Sequence, residues 1–123
     1  MANNAVGWFE IYVQDMDRAR AFYEATLAVA LEKLPVPDVE MWAFPMDPDA
    51  SGASGSLVKM EGMPSGGNSV LVYFNCEDCA VEAGRVPGAG GTVFREKMSI
   101  GEYGFIALVH DTEGNLVGLH SMQ

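Results

Sequence analysis

Two stretches of this chain run as apolar and aromatic strands and then meet an acidic residue at the head of a helical pattern. The first is Trp8-Phe9-Glu10-Ile11-Tyr12-Val13, followed by Gln14-Asp15-Met16-Asp17. The second is Leu71-Val72-Tyr73-Phe74-Asn75-Cys76, followed by Glu77-Asp78-Cys79-Ala80. Both runs are rich in the aromatic and β-branched residues that suit a pleated surface. Asp15 and Asp78 are suited to cap the helices that follow, because a carboxylate accepts the free amide hydrogens of a first turn. Apolar positions Met16, Ala19, Phe22, Tyr23 and Leu27 form a helical stripe and predict a helix from Met16 to about Leu31. Pro35 and Pro37 forbid its continuation. The second predicted helix, from Cys79 to about Val86, is short, contains Gly84 and ends at Pro87.

The two capping Asp residues lie 63 positions apart, and the same offset relates Trp42 to Phe105 and Gly55 to Gly118. The chain therefore repeats itself. Each half reads strand, helix, then further strands, with one around 39–46 or 103–110 and another around 55–60 or 115–121. Turn-forming clusters stand at Asp47-Pro48-Asp49, Met63-Pro64-Ser65-Gly66-Gly67-Asn68 and Asp111-Thr112-Glu113-Gly114-Asn115. The middle cluster is the expected junction between halves.

Composition narrows the function classes. The 123 residues are 49% hydrophobic and 20% charged, a globular composition of single-domain size. A formal net charge of −10, from 7 basic and 17 acidic residues, disfavours nucleic acid and anionic membranes. The apolar runs are too short for a membrane span and no secretory signal opens the chain, so a soluble protein is expected. Two cysteines make no disulfide framework and point to a reducing cytoplasm.

The order of elements resembles the vicinal oxygen chelate group, the glyoxalase/bleomycin-resistance/dioxygenase superfamily. Tyr12 to Tyr23, Tyr-Val-Gln-Asp-Met-Asp-Arg-Ala-Arg-Ala-Phe-Tyr, is similar to the family's "V-x-D-x-x-x-A-x-x-FY" opening. Asp111-Thr112-Glu113-Gly114-Asn115 is similar to its "D-P-E-G-N" close. The resemblance implies an α+β fold of two βαβββ modules, about 5–62 and 68–123, in one domain spanning 1–123. In such a fold a curved, cup-like mixed sheet carries its helices on the outer face.

The resemblance also implies four metal-ligand positions. They fall at Trp8, at or beside Gly55, at Leu71 and at Gly118. Indole, isobutyl and hydrogen offer a divalent ion no lone pair, so no metal and no other cofactor is expected. Strand alternation would then place Glu10, Tyr12, Tyr73 and His120 in the cup with Trp8 and Leu71. Trp42, Phe44 and Phe105 would form aromatic walls, Tyr103 would close the mouth, and glycines 55 and 118 would leave room for a ligand. Glu10 and His120 are the candidate catalytic pair, since burial of a carboxylate in an apolar strand suits it to general-base work. The alternative is that both are satisfied structural groups.

Two other motifs carry less. Cys76-Glu77-Asp78-Cys79 is a C-x-x-C at a strand–helix junction, but its acidic centre disfavours a thiolate and buried packing is the expected role. Ser51-Gly52-Ala53-Ser54-Gly55-Ser56 lacks the Lys-Ser/Thr ending of a phosphate loop. Three functions stay open: a lyase- or isomerase-type enzyme for a small carbonyl or oxygenated compound, a protein that sequesters a drug-like or cationic ligand, or a metal enzyme with displaced ligands such as Glu10 and His120 with a third group. The resemblance also implies a homodimer.

Overall fold

The computed structural model describes residues 4–112 and 114–123. Among them are two α-helices and eight strands, paired both parallel and antiparallel, so the fold is α+β. The order is β1 (Val6–Tyr12), α1 (Met16–Leu27), β2 (Glu32–Lys33), β3 (Glu40–Ala43), β4 (Ser54–Lys59), β5 (Val70–Asn75), α2 (Cys79–Arg85), β6 (Thr92–Ser99), β7 (Phe105–His110) and β8 (Leu116–Ser121). Each half is one βαβββ unit. No helix among the described residues is long and apolar enough to cross a membrane.

The chain divides into two compact units. Trp8–Val70 form the N-terminal unit, and Leu71–Gln123 together with the residues up to Gly7 form the C-terminal one. The start of the chain joins the second half because Asn75 donates its backbone N–H to the Ala5 carbonyl and its side-chain amide to the Asn4 carbonyl. The Met63–Asn68 loop, expected as the junction between halves, is tied to the first half. The Gln14 amide donates to the Met63 carbonyl at 2.9 Å and the Ser65 hydroxyl to the Tyr12 carbonyl at 2.9 Å.

In the N-terminal unit, β2, β3 and β4 pair antiparallel and β4 pairs parallel with β1. One face of this sheet carries α1 over Val13, Met16, Leu31 and Leu57, with Ile11, Ala19, Tyr23, Trp42 and Phe44 packed around them. In the C-terminal unit, β5 pairs parallel with β8, and β7 pairs antiparallel with β8 and β6. There Cys79 and Ala83 of α2 pack on Ala107, Val109 and Leu119.

Both predicted caps form: Asp15 accepts the Arg18 N–H and Asp78 accepts the Ala80 N–H, each at 3.0 Å. Asp15→Ala should therefore cost about 1 kcal/mol in urea denaturation, with an unchanged midpoint counting against the cap. Helix α1 ends at Leu27 rather than near Leu31. Ala28 turns left-handed at φ 53°, and the Glu24 carboxylate captures the Leu31 N–H at 2.8 Å, which drops Leu31 into the core. The apolar stripe is also narrower than predicted. Met16, Ala19 and Tyr23 face the sheet, whereas Phe22 and Leu27 are exposed.

Candidate functional site

Register decides which side chains share a face. On β1 and β4 the pairs Trp8–Ser54, Glu10–Ser56 and Tyr12–Val58 stand side by side. Ile11 and Leu57 belong to the α1 core, so the Glu10 row points away from the helix. Glu10 is 8% exposed and has no ion-pair partner among the described residues. The Tyr12 hydroxyl donates to its Oε1 at 2.7 Å, and the Trp8 indole adds a second hydrogen bond. Burial pushes the Glu10 carboxyl above the ordinary carboxylate range, and the bonds from Tyr12 and then Trp8 pull it partly back. Three residues at spacing two on one strand thus build a desolvated acid with two neutral donors. Sequence alternation anticipated this grouping.

The structure assigns Ser56 a place in this row that the sequence reading missed. Its side chain is fully buried, and its hydroxyl has no hydrogen-bond partner among the described residues. The only signal was its alternation with Ser54 into Leu57-Val58, hidden within a Gly/Ser-rich stretch that reads as loop. Ser56 is also the register counterpart of Gly118, because Glu10 pairs with Ser56 as Tyr73 pairs with Gly118. Gly55 lies on the opposite face, where a Cβ would strike the Phe9 ring.

In the C-terminal unit, Leu71, Tyr73, Gly118 and His120 point away from α2. Phe74 and Leu119, which alternate with them, lie in the α2 core. Gly118 does not open a space, as the Tyr73 ring lies where its side chain would be. His120 is half-buried, and its Nε2 lies 2.6 Å from the Tyr103 carbonyl. A carbonyl only accepts, so neutral His120 carries its proton on Nε2 and leaves Nδ1 as the acceptor. Tyr103 itself sits in a 3-10 turn, Gly101–Tyr103, and is 49% exposed.

The three expected wall aromatics lie elsewhere. Trp42 and Phe44 are on the α1 side: Trp42 pairs with Leu57, Arg20 stacks on its ring, and Phe44 meets Tyr23 edge-on at 5.8 Å. Phe105 lies on the α2 side with Lys97 4.7 Å above its ring. The reason is common to the two that lie in strands, Trp42 and Phe105. An aromatic residue in a strand packs under the amphipathic helix when its parity matches the core residues, here Leu57 for Trp42 and Ala107 for Phe105.

The two cysteines are free thiols; Cys79 is buried in the α2 core and Cys76 half-buried. Burial, reinforced by the Glu82 carboxylate, pushes the Cys76 thiol up to about 11. No fast-reacting thiol is expected at pH 7.4. A labelling burst with a disulfide reagent at that pH would contradict this.

The four ligand positions implied by the resemblance are occupied by Trp8, Ser56, Leu71 and Gly118. One hydroxyl among an indole, an isobutyl and a glycine covered by Tyr73 does not make an ion site. Among the described residues, no three His, Cys, Asp or Glu side chains come together as a metal-binding group. The residues present do not fit the family's metal, and no chemistry is routed through one.

The relatives of this chain agree with its fold. CFP32 from Mycobacterium bovis and Mycobacterium tuberculosis, which bears a provisional glyoxylase name, is 28% identical over 107 residues, or 87% of this chain. The chain spans only 40% of the length of those curated relatives. Methylmalonyl-CoA epimerase from Mycobacterium tuberculosis superposes with a TM-score of 0.71 at 16% identity, covering 97% of this chain and 88% of that one. The Streptomyces coelicolor enzyme in complex with 2-nitronate-propionyl-CoA gives 0.68 at 17% identity, covering 98% of both chains. A glyoxalase/bleomycin resistance protein/dioxygenase superfamily member from Vibrio splendidus gives 0.64 at 18%, covering 92% of this chain and 95% of that one. At these identities the solved structures speak for the fold alone. The family profile described as Glyoxalase/Bleomycin resistance protein/Dioxygenase superfamily matches residues 5–119, and the chain belongs to that superfamily.

Proposed function

We propose that this chain is an acid–base enzyme of the lyase or isomerase kind acting on a small carbonyl or oxygenated compound. Glu10 moves the proton. The observation that carries the reading is the Glu10 carboxyl itself: buried, without an ion-pair partner among the described residues, and held by Tyr12 and Trp8. Such a group has raised proton affinity and a fixed direction, the two properties a general base near neutral pH needs. It takes a proton from the carbon beside a carbonyl. The C–H pair becomes the C=C bond of an enolate, and the carbonyl π pair moves onto oxygen. Return of the proton gives an isomer, and loss of a β-leaving group gives an eliminated product. Trp8 and Tyr12 supply the contact surface beside Glu10. The chemistry consumes no metal and no organic cofactor.

Two free thiols support a reducing cytoplasm. Exposed Phe94 and Met98 on β6, which ends the strand order, support a homodimer. A net charge of −10 favours a second reading, sequestration of a cationic ligand.

The test is proton exchange in D2O, followed by NMR, on a panel containing methylmalonyl-CoA, hydroxyacetone and small 2-oxo acids. Exchange at the α-carbon above the buffer rate is the expected result. None with any member would overturn the enzymatic reading.

A further inference from the structure

Among the described residues, Ser56 is the group on the Glu10 face whose polarity nothing uses. Two other strand serines show what satisfaction looks like. The Ser54 hydroxyl reaches the Phe44 and Pro45 carbonyls, each at 3.2 Å. The Ser121 hydroxyl accepts the Cys79 N–H at 3.0 Å and donates to the Gln123 carbonyl at 2.9 Å. The remaining buried unpaired atoms, Arg20 Nε and Glu82 Oε1, belong to side chains that interact through other contacts, with Glu24 and with Cys76. Only Ser56 among these has no partner for its sole polar group. A buried hydroxyl without a partner is a net cost to the fold, and alanine would fill the same strand position without it.

Its position is as specific as its lack of a partner. Ser56 is the in-register neighbour of Glu10 on the parallel strand, about 4.8 Å across the ladder. Both side chains project from the same face. The carboxylate accepts and the hydroxyl donates, in a desolvated setting where a donor stabilises developing negative charge more than it would in water.

We propose that Ser56 is a second ligand-contacting residue of the Glu10 site, its hydroxyl donating to the carbonyl oxygen of the molecule whose adjacent proton Glu10 takes. The inference rests on the acid–base reading above and adds to it the recognised group: an uncharged carbonyl with an acidic hydrogen on the neighbouring atom. The balance is closed. The proton passes to Glu10, the electron pair to the carbonyl oxygen, and the Ser56 O–H stays intact while its hydrogen bond to that oxygen strengthens. A rigid donor on a central strand keeps this contact in register with the base, as preorganised stabilisation requires.

The experiment uses chelator-treated full chain and acetohydroxamic acid as the probe. This probe is planar and uncharged at neutral pH, and presents a carbonyl oxygen beside an acidic N–H. Binding is followed by the 13C shifts of the Ser56 and Glu10 methylenes. Wild type is expected to show saturable shifts. Ser56→Ala should bind at least about tenfold more weakly and yet melt at a higher temperature, while Ser56→Cys, with its weaker S–H donor, falls between. Ser56→Ala binding like wild type overturns the proposal, as does a wild type with no saturable shift. The two readings separate cleanly. Probe binding that depends on Ser56 supports this contact even where no substrate exchanges its proton. Exchange that survives Ser56→Ala undiminished removes Ser56 from the site and leaves Glu10 in it.

Discussion

Replacing Glu10 by Gln should lower α-proton exchange by about 10²–10⁴-fold, the usual contribution of a positioned acid or base. Gln keeps the shape of Glu10 and one acceptor for the Tyr12 hydroxyl, so the site should stay in place while the titrating group is lost. The same substitution should change how stability depends on pH. Burial raises the Glu10 carboxyl above its unfolded value, so the folded protein holds the proton more tightly than the unfolded chain. That preference contributes stability below the unfolded carboxyl value of about 4.3 and is lost as pH rises through the raised folded value. Above it the wild type carries a buried charge that Gln does not. The melting temperature of Glu10→Gln minus that of wild type should therefore increase from pH 4 to pH 7.5. Undiminished exchange would remove Glu10 from catalysis. A difference that shrinks toward neutral pH would show that desolvation does not dominate its environment.

Gly118→Ala should destabilise the protein by about 1–3 kcal/mol, the range for overpacking a filled interior. The new Cβ clashes with the edge of the ring of Tyr73, which is itself buried and paired in register with Gly118. Neither group can step aside easily, because Gly118 lies on a paired strand and Tyr73 on its neighbour. At roughly 4 °C per kcal/mol for a domain near this size, the loss is visible in a thermal melt. Removing the ring should relieve it, so Tyr73→Ala should cost less in the Gly118→Ala background than in wild type. That coupling is what a double-mutant cycle measures. Full stability of Gly118→Ala would mean the ring is free to move. The same packing explains why restoring an acid at position 118 alone would not recreate an ion site.

Much of this architecture was legible because its signals are local. Strand alternation, two Asp caps and proline stops are properties of a few consecutive residues, and a 63-residue offset exposes two copies of one pattern. The same locality grouped Trp8, Glu10 and Tyr12, since spacing two on a strand is enough to share a face. Where the reading failed, the deciding contact came from elsewhere in the chain. Helix α1 stops at Leu27 because Glu24 captures the Leu31 backbone, a side-chain competition that periodicity does not express.

Composition and order, then, determined the element sequence, the superfamily, the lack of four metal donors and the acid at position 10. Pairing register decided the rest. A one-residue difference between strands exchanges the two faces of a sheet. It put Trp42, Phe44 and Phe105 beneath helices instead of around a ligand, laid Tyr73 over Gly118, and set the unpaired hydroxyl of Ser56 beside Glu10. No single strand carries that information, because a face is defined only when two strands meet.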